Sequence, residues 1–414
     1  MNILVLTYWS YKEPLIQTYT LPYLKIINKY LPSGSKIYLQ TLEKPNLKLS
    51  KEELTKEAVL LQKENIYLLP FYYSKFGLKA IIKWKFYLLR LLIIIFSKKI
   101  KYIHCWCTPA GAIGYILSVL TGRQLIIDSY EPHAEAMVEN GDWKRNSIAF
   151  KILFFFEKLQ SRRAKAVVAA TKGFENWAKI KYKTEFKNYY VKPACTDFSQ
   201  FSLQFAKEEM LLKKLGFENK IVCVYAGKIG GIYLEKEIFD FFKACSDFWK
   251  EKFRVLLLTD ASKEKIEKYI SASELNPEII FSEFINHKEI HKYLGLADFA
   301  LNPVKPVPTK RFCTSIKDGE YWAMGLPIVI TQNISDDSEI IEKYKIGSII
   351  KDFTYDKYIE SIREIDSLIK NNDRQTLRNK IVEIAKQYRG FEIAEEIYQK
   401  LYQKNRTQIN AEKL

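Results

Sequence analysis

The residues best suited by type and spacing to bind a ligand lie in the last third of the chain, where Glu320 follows Lys317 by three positions. Residues at that spacing share one face of a helix. An ammonium group binds phosphate oxygens and a carboxylate accepts hydrogen bonds from a ribose diol, so the pair suits a nucleoside diphosphate. A solvated Lys-x-x-Glu pair is also common and contributes little to stability. The flanking sequence has to distinguish these two interpretations.

The flanking sequence predicts a strand, a long loop, a helix and a second strand. Phe299 to Val304 is apolar, three prolines then prevent helix formation, and Thr314 or Ser315 is predicted to cap a helix that Gly325 ends. A helix that begins beyond the carboxyl end of a parallel strand points its free N–H groups toward bound phosphate. This placement favours a ligand site.

A second candidate segment follows the predicted strand Ile221 to Ala226. The residues that come after it are Gly227, Lys228, Gly230 and Gly231. Glycine lets the backbone approach a ligand closely. Glycines are also frequent in ordinary tight turns, so this segment by itself leaves both possibilities open.

The segment T-S-I-K-D-G-E-Y-W-A-M-G-L-P-I-V-I resembles the S-P-x-K-x-x-E-Y-x-A-x-G-x-P-V-I segment of GT-B-fold glycosyltransferases. The similar group (group 1, family 4-like) includes bacterial enzymes that build polysaccharides and lipid-linked glycans. The resemblance implies that Glu320 binds the ribose and that Lys317 faces the donor. It also implies that the turn at Thr314 and Ser315 faces the diphosphate, with Lys228 as the basic residue after the strand glycine.

One position departs from that family. Many members carry a second glutamate seven to eight positions earlier that contacts the donor sugar, whereas this chain has Phe312 and Cys313 there. Lys310 and Arg311 stand in the same loop, either as phosphate or sugar contacts or as an exposed basic loop. The missing carboxylate leaves the donor-sugar contacts open and keeps a catalytically idle partner of the same fold as an alternative.

A third segment, Phe284 to His287, resembles the loop that packs near the base in that family. Asn286 and Glu289 have the spacing of a capping box. The residues themselves therefore predict a capped helix, with no ligand role for His287 or His291.

The acceptor side is expected in the first half of the chain, in the loop Ile126 to Asn140. This loop concentrates titratable residues, among them Asp128, Glu131 and His133. A histidine or carboxylate at the carboxyl end of a strand can orient or deprotonate an acceptor hydroxyl. We favour His133 and Asp128 as catalytic residues, with a structural hydrogen-bond network as the alternative.

Short apolar runs alternate with helical stretches along the chain, a pattern typical of parallel sheets covered by helices. The predicted strands are 3–8, 36–42, 66–73, 102–107, 125–129, 166–170, 189–191, 221–226, 255–259, 279–284, 299–304 and 328–331. The prediction is an α/β chain of two Rossmann-like doubly wound domains facing a cleft (GT-B). The domains are predicted at 1–198, with a terminal helix at about 388–414 possible as its completion, and at 199–387.

Composition limits the partners and cofactors. Lys and Arg number 65 against 48 Asp and Glu, a net charge of +17 that attracts anions. The lysines are dispersed and no nucleic-acid-binding motif accompanies them, so no nucleic acid is expected. The six cysteines lack zinc spacing and no D-x-D motif occurs, so no metal or other cofactor is expected. The N-terminus lacks the features of a signal peptide, which predicts a cytoplasmic protein.

The segment Lys79 to His104 is basic and aromatic around a short apolar stretch, Leu88 to Phe96. That stretch is far shorter than the roughly 20 residues of a membrane span. The segment fits an interfacial helix on an anionic membrane surface, and it fits a crossover helix packed on a sheet equally well.

These observations predict a glycosyltransferase that moves a sugar from a nucleotide-sugar donor to a glycan or lipid-linked acceptor in cell-surface polysaccharide synthesis. Retention of anomeric configuration is implied by the resemblance only. The alternatives are a sugar-nucleotide epimerase of the same fold and the idle partner. The predicted location is the cytoplasm, with peripheral contact to the inner face of the cell membrane left open.

Overall fold

The computed structural model describes residues 1–73 and 78–403, with side chains in the second range described from residue 82 onward. The chain divides into two compact units. The first unit comprises Met1–Lys192 and the described residues from Glu392 onward, and the second unit comprises Pro193–Phe391. The part of the predicted 388–414 helix beyond residue 403 and the side chain of Lys79 lie outside the described residues.

Thirteen strands form two sheets within the described ranges. The strands are β1 (Asn2–Leu6), β2 (Ile37–Glu43), β3 (Ile66–Tyr72), β4 (Ile100–Trp106), β5 (Gln124–Tyr130), β6 (Ala166–Ala169), β7 (Tyr189–Val191), β8 (Ile221–Ala226), β9 (Phe253–Leu258), β10 (Ile280–Glu283), β11 (Phe299–Asn302), β12 (Ile328–Thr331) and β13 (Gly347–Ile350). The first unit has the order β3-β2-β1-β4-β5-β6-β7, and the second has β10-β9-β8-β11-β12-β13.

Sixteen α-helices connect and cover these strands in the described part of the chain. They are α1 (Leu21–Tyr30), α2 (Lys51–Lys63), α3 (Leu78–Ser97), α4 (Thr108–Thr121), α5 (His133–Glu139), α6 (Ile148–Arg163), α7 (Phe174–Tyr182), α8 (Glu209–Leu215), α9 (Lys236–Trp249), α10 (Lys263–Ala272), α11 (Ile290–Leu296), α12 (Ile316–Ala323), α13 (Asp337–Tyr344), α14 (Tyr355–Asn371), α15 (Arg374–Arg389) and α16 (Phe391–Tyr402). Local sequence features stabilise the first turns of some helices. For example, Ser50 and Glu53 form a capping box at the N-terminus of α2.

Every strand pair within the two sheets is parallel. The inner strands β1, β8 and β9 are apolar and buried along almost their whole length, as expected when helices cover both faces of a sheet. The prediction of two doubly wound α/β domains is confirmed. All twelve predicted strands form, within a few residues of their expected bounds.

The strand at the edge of the second sheet, β13, was not predicted. Only two of its four residues, Ile349 and Ile350, are apolar, because it begins with Gly347 and Ser348, so the segment shows no apolar run of strand length. It pairs with β12 and completes six strands.

Among the described helices, none combines the length and the apolar character needed to cross a membrane.

Candidate functional site

The candidate site lies at the carboxyl ends of β8 and β11, the two central strands of the second sheet. The strand order runs outward in opposite directions from this pair, and ligands of doubly wound sheets bind at such a switch point. β8 leads into the glycine segment at residues 227–231, and β11 leads through a loop into α12. The topology therefore brings together two segments that lie far apart in the sequence.

Lys317 stands in the first turn of α12, between two aromatic rings. Its Nζ lies 3.6 Å from the ring centroid of Tyr233 and 4.6 Å from that of Tyr225. Burial lowers the pKa of Lys317 to about 7, although Asp318 and Glu320 act in the opposite direction. An anion that arrives beside this amine favours its charged form, so the site is suited to a phosphate group.

Gly227 makes room for Lys317. Its φ is 145°, and a Cβ atom at this position would overlap the Lys317 Nζ atom. Gly230 and Gly231 also have positive φ, at 90° and 67°. Lys228 is exposed on the same turn. Gly227 therefore lets the turn after β8 approach the lysine of α12.

Glu320, one turn further along α12, is buried and bonded to a histidine. Its Oε1 lies 2.7 Å from His287 Nε2. Burial lowers the pKa of His287, but the hydrogen bond and the charge of Glu320 outweigh it and raise that pKa above its ordinary value. The edge of the Phe201 ring packs on the imidazole. The carboxylate is thus held in place, with its partner reaching it from the loop before α11.

His287 is a site residue that the sequence did not predict. The expected cap is also wrong: α11 begins at Ile290 after Glu289, and no side chain caps it. Asn286 instead accepts a hydrogen bond from the Lys288 backbone in a local turn. The resemblance of this loop to a base-contacting loop was the only signal available.

Thr314 and Ser315 precede α12 as predicted, but neither side chain caps it. Ser315 occupies the cap position without a side-chain hydrogen bond to the helix, and its Oγ is buried without a partner among the described residues. The Thr314 hydroxyl accepts instead from the Ala194 backbone N–H (2.8 Å). The first N–H groups of α12 are therefore not capped by these two side chains. Gly325 (φ 68°) follows the helix end, as predicted.

A fully buried acid pair lies next to Lys317. Asn302 Nδ2 donates to Asp318 Oδ1 (2.6 Å), and Arg389 pairs with Asp337. The remaining oxygens, Asp318 Oδ2 and Asp337 Oδ2, have no donor among the described residues. Burial and then the Asp337 charge raise the pKa of Asp318 well above its ordinary value, against the effect of Arg389. The protonated form of Asp318 is therefore favoured.

Residues 208–388 match the family described as "Glycosyl transferases group 1". The match lies within the second unit. The matched range begins just before α8 and ends within α15, so it contains the glycine segment, Lys317, Glu320 and His287. No curated protein matches the sequence of the chain.

Solved structures of glycosyltransferases share the whole two-unit fold. Alr3699/HepE of Anabaena, solved with UDP, has a TM-score of 0.70 at 15% identity, over 97% of this chain and 99% of that chain. Sucrose-phosphate synthase of Thermosynechococcus elongatus has 0.71 at 14% identity, over 99% and 100%. WaaG, a glycosyltransferase involved in lipopolysaccharide biosynthesis, has 0.69 at 11% identity, over 98% and 100%. The recognition of a GT-B glycosyltransferase fold is confirmed.

In the first unit, Asp128 lies at the centre of a buried network. It accepts hydrogen bonds from Tyr398 (2.7 Å) and His104 (3.3 Å) and lies 3.2 Å from Lys192 Nζ. Burial acts to raise the pKa of Asp128, but Lys192 and the hydrogen bonds lower it to about 2. Its side chain is fully buried, so it has no exposed oxygen for an acceptor hydroxyl. This environment supports the structural-network alternative.

His133 keeps an exposed imidazole. It opens α5 at the carboxyl edge of the first sheet, its side chain is 30% exposed, and its Nδ1 lies 3.0 Å from Glu131 Oε1. A carboxylate on one ring nitrogen orients the other nitrogen, as a general base requires. Of the two catalytic candidates, His133 therefore has the access that Asp128 lacks.

Gly111 serves packing in this unit, because a Cβ there would overlap the Gln160 side chain of α6. No three His, Cys, Asp or Glu side chains converge on a common point in the described ranges, so no metal ligands are assigned.

Proposed function

We propose that the protein transfers a sugar from a nucleotide-sugar donor to a glycan or lipid-linked acceptor in cell-surface polysaccharide synthesis, in the cytoplasm. The observation that carries this proposal is the convergence of Gly227, Lys317 and Glu320 at the switch point of the second sheet. Lys317 packs between Tyr225 and Tyr233 and against Gly227, none of which lies on α12, whereas the lysine of a solvated Lys-x-x-Glu pair has no such contacts. The relative solved with UDP supports the same donor class.

The donor diphosphate lies at the first turn of α12 in this proposal. Free N–H groups of that turn and the Lys317 amine stabilise the charge that develops when the nucleotide leaves. Glu320, oriented by His287, accepts hydrogen bonds from the ribose hydroxyls. The exposed Lys228 contributes positive charge. No metal or other cofactor is assigned to the reaction.

His133 is assigned as the general base. It accepts the proton of the acceptor hydroxyl as the sugar is transferred. Retention of the anomeric configuration follows from the resemblance alone, and the anomeric coupling constant of the product reports it directly by NMR.

The test is calorimetric titration of nucleoside diphosphates and nucleotide sugars into the wild type, Glu320→Ala and Glu339→Ala. Glu339 is an exposed carboxylate on α13 and serves as the control. We expect one base to bind the wild type and the control, and binding to be lost in Glu320→Ala. The matching 2′,3′-dideoxy nucleotide should bind the wild type more weakly. Glu320→Gln, which keeps one weaker accepting oxygen, should narrow the difference between the two nucleotides.

Three outcomes would redirect the proposal. A folded wild type that binds no nucleotide supports the idle-partner alternative. Conversion of the donor to its epimer without any acceptor supports the epimerase. Donor binding that a chelator abolishes contradicts the assignment of no metal.

A further inference from the structure

One helix of the first unit shows an apolar stripe on its outer face. Five large apolar side chains of α3 repeat at intervals of four and three residues and are each between 50% and 67% exposed: Ile82, Phe86, Leu89, Ile93 and Phe96. That spacing places them on one side of the helix. The opposite side packs inward through Leu91 and Ile95, which are buried. The helix therefore already has a core-facing side, and the stripe is a second apolar surface.

Two other helices of the same unit also carry exposed apolar side chains. α3 packs against α4, and α4 packs against α6. Exposed apolar residues on these two helices are Val119, Leu120, Ile148, Ile152 and Phe155. Among described residues, the three helices carry ten of the twenty exposed large apolar side chains. We call this surface the α3–α4–α6 face. Apolar residues scattered singly need no explanation, but a concentration of this kind marks an interaction surface.

The charge of this region has one sign. From residue 65 to residue 127 the sequence contains no Asp or Glu, and it contains nine bases: Lys75, Lys79, Lys83, Lys85, Arg90, Lys98, Lys99, Lys101 and Arg123. On α3, Lys85 lies on one flank of the stripe, and Lys83 and Arg90 lie on the other. Lys98 and Lys99 follow the last turn and are exposed.

We infer that the α3–α4–α6 face binds the surface of an anionic lipid bilayer, with α3 lying in the interfacial plane. Its apolar stripe enters the boundary between headgroups and acyl chains, and the flanking bases contact lipid phosphates. This inference goes beyond the proposed function and does not rest on it, since no donor-site residue contributes to the face. Binding to the bilayer would bring the enzyme to the membrane that holds the expected lipid-linked acceptor.

A second copy of the chain fits this face less well. A two-fold interface would bring the same bases of both copies together, and α3 and α4 offer no carboxylate to neutralise them. Anionic lipid supplies both an apolar phase and the missing negative charge.

The experiment is vesicle flotation of the full chain without nucleotide, on phosphatidylcholine alone and on mixtures with phosphatidylglycerol. We expect binding to the anionic vesicles that weakens with salt. Phe86→Ser with Ile93→Ser should reduce partitioning about tenfold or more. The control is Ile180→Ser with Met210→Ser, two residues more exposed than these that lie outside the face. Lys83→Gln, Lys85→Gln and Arg90→Gln should each reduce binding about fivefold.

Circular dichroism confirms that each variant is folded, and calorimetry with nucleotide tests the donor site separately. The inference is overturned if the wild type does not bind anionic vesicles. It is also overturned if the variant with Phe86→Ser and Ile93→Ser partitions as the control variant does. It is also overturned by light scattering that shows a wild-type dimer which the Phe86 and Ile93 substitutions dissociate, because a second copy then covers the face.

Discussion

The Lys317 Nζ atom occupies the space in which a Cβ atom of residue 227 would lie. A side chain at position 227 and the present position of the lysine therefore exclude each other.

Gly227→Ala is expected to weaken donor binding by at least about tenfold, because the methyl group displaces the amine and the backbone conformation costs about 1–3 kcal/mol. Titration calorimetry with the nucleotide identified above measures the loss. Gly216→Ala is the matched control, since Gly216 also has positive φ (67°) but no atom within 4 Å of its Cβ position. Equal donor affinity in both variants would contradict the role of Gly227.

Donor affinity should fall as pH rises through 7. The pKa of Lys317 is lowered to about 7, and a bound diphosphate raises it, so binding takes up a proton. We expect Kd to increase about tenfold between pH 6 and pH 8 for a nucleotide sugar, whose diphosphate does not titrate there. Lys317→Arg keeps its charge and should flatten the profile. A flat wild-type profile would show that Lys317 does not contact phosphate.

Glu320→Gln should lower the pKa of His287. The carboxylate raises that pKa against the effect of burial, and the substitution leaves burial alone. The chain has four histidines, so NMR titration of the imidazole signals resolves them. His104 and His133 belong to the first unit and should titrate as before. An unchanged His287 pKa would mean that the pair does not form in solution.

Asp318→Asn is expected to stabilise the second unit at high pH. The folded pKa of Asp318 is raised, so stability is lost as pH rises above the ordinary carboxyl value of about 4. Asparagine still accepts from Asn302 and donates to Asp337 without a titrating proton. The melting temperature should be little changed at pH 5 and a few degrees higher at pH 8. The exposed Asp356→Asn serves as control, and an equal gain at both pH values would show that the pKa of Asp318 is not raised.

Asp128 and Lys192 should behave as a coupled buried pair. Asp128→Asn leaves the Lys192 ammonium buried without its counter-charge, which costs about 3–5 kcal/mol. Combining it with Lys192→Met should cost less than the sum of the two single changes. Urea unfolding measures all three variants. Because the pKa of Asp128 is about 2, its contribution to the free energy of unfolding should persist until pH falls from about 4 toward 2. If the effects of Asp128→Asn and Lys192→Met on the free energy of unfolding are additive, the two residues do not form a coupled pair.

The sequence by itself determined the architecture. Apolar runs of strand length alternate with helical stretches in both halves, and this repeating pattern is local, so it predicted twelve strands of the two sheets. It also identified the K-x-x-E helix with the glycine after its C-terminus, because caps and turns depend on residues a few positions apart. The strand β13 was missed because two of its four residues, Gly347 and Ser348, are not apolar.

The tertiary structure decided which of these residues meet and which remain accessible. His287 joins Glu320 across 33 positions, and Tyr398 reaches Asp128 across 270. Asp128 and His133 stand five positions apart in the sequence, yet one is buried in an ion pair and the other is partly exposed. Burial and long-range pairing set their chemistry, and both depend on how the sheets stack distant segments, which no local spacing encodes.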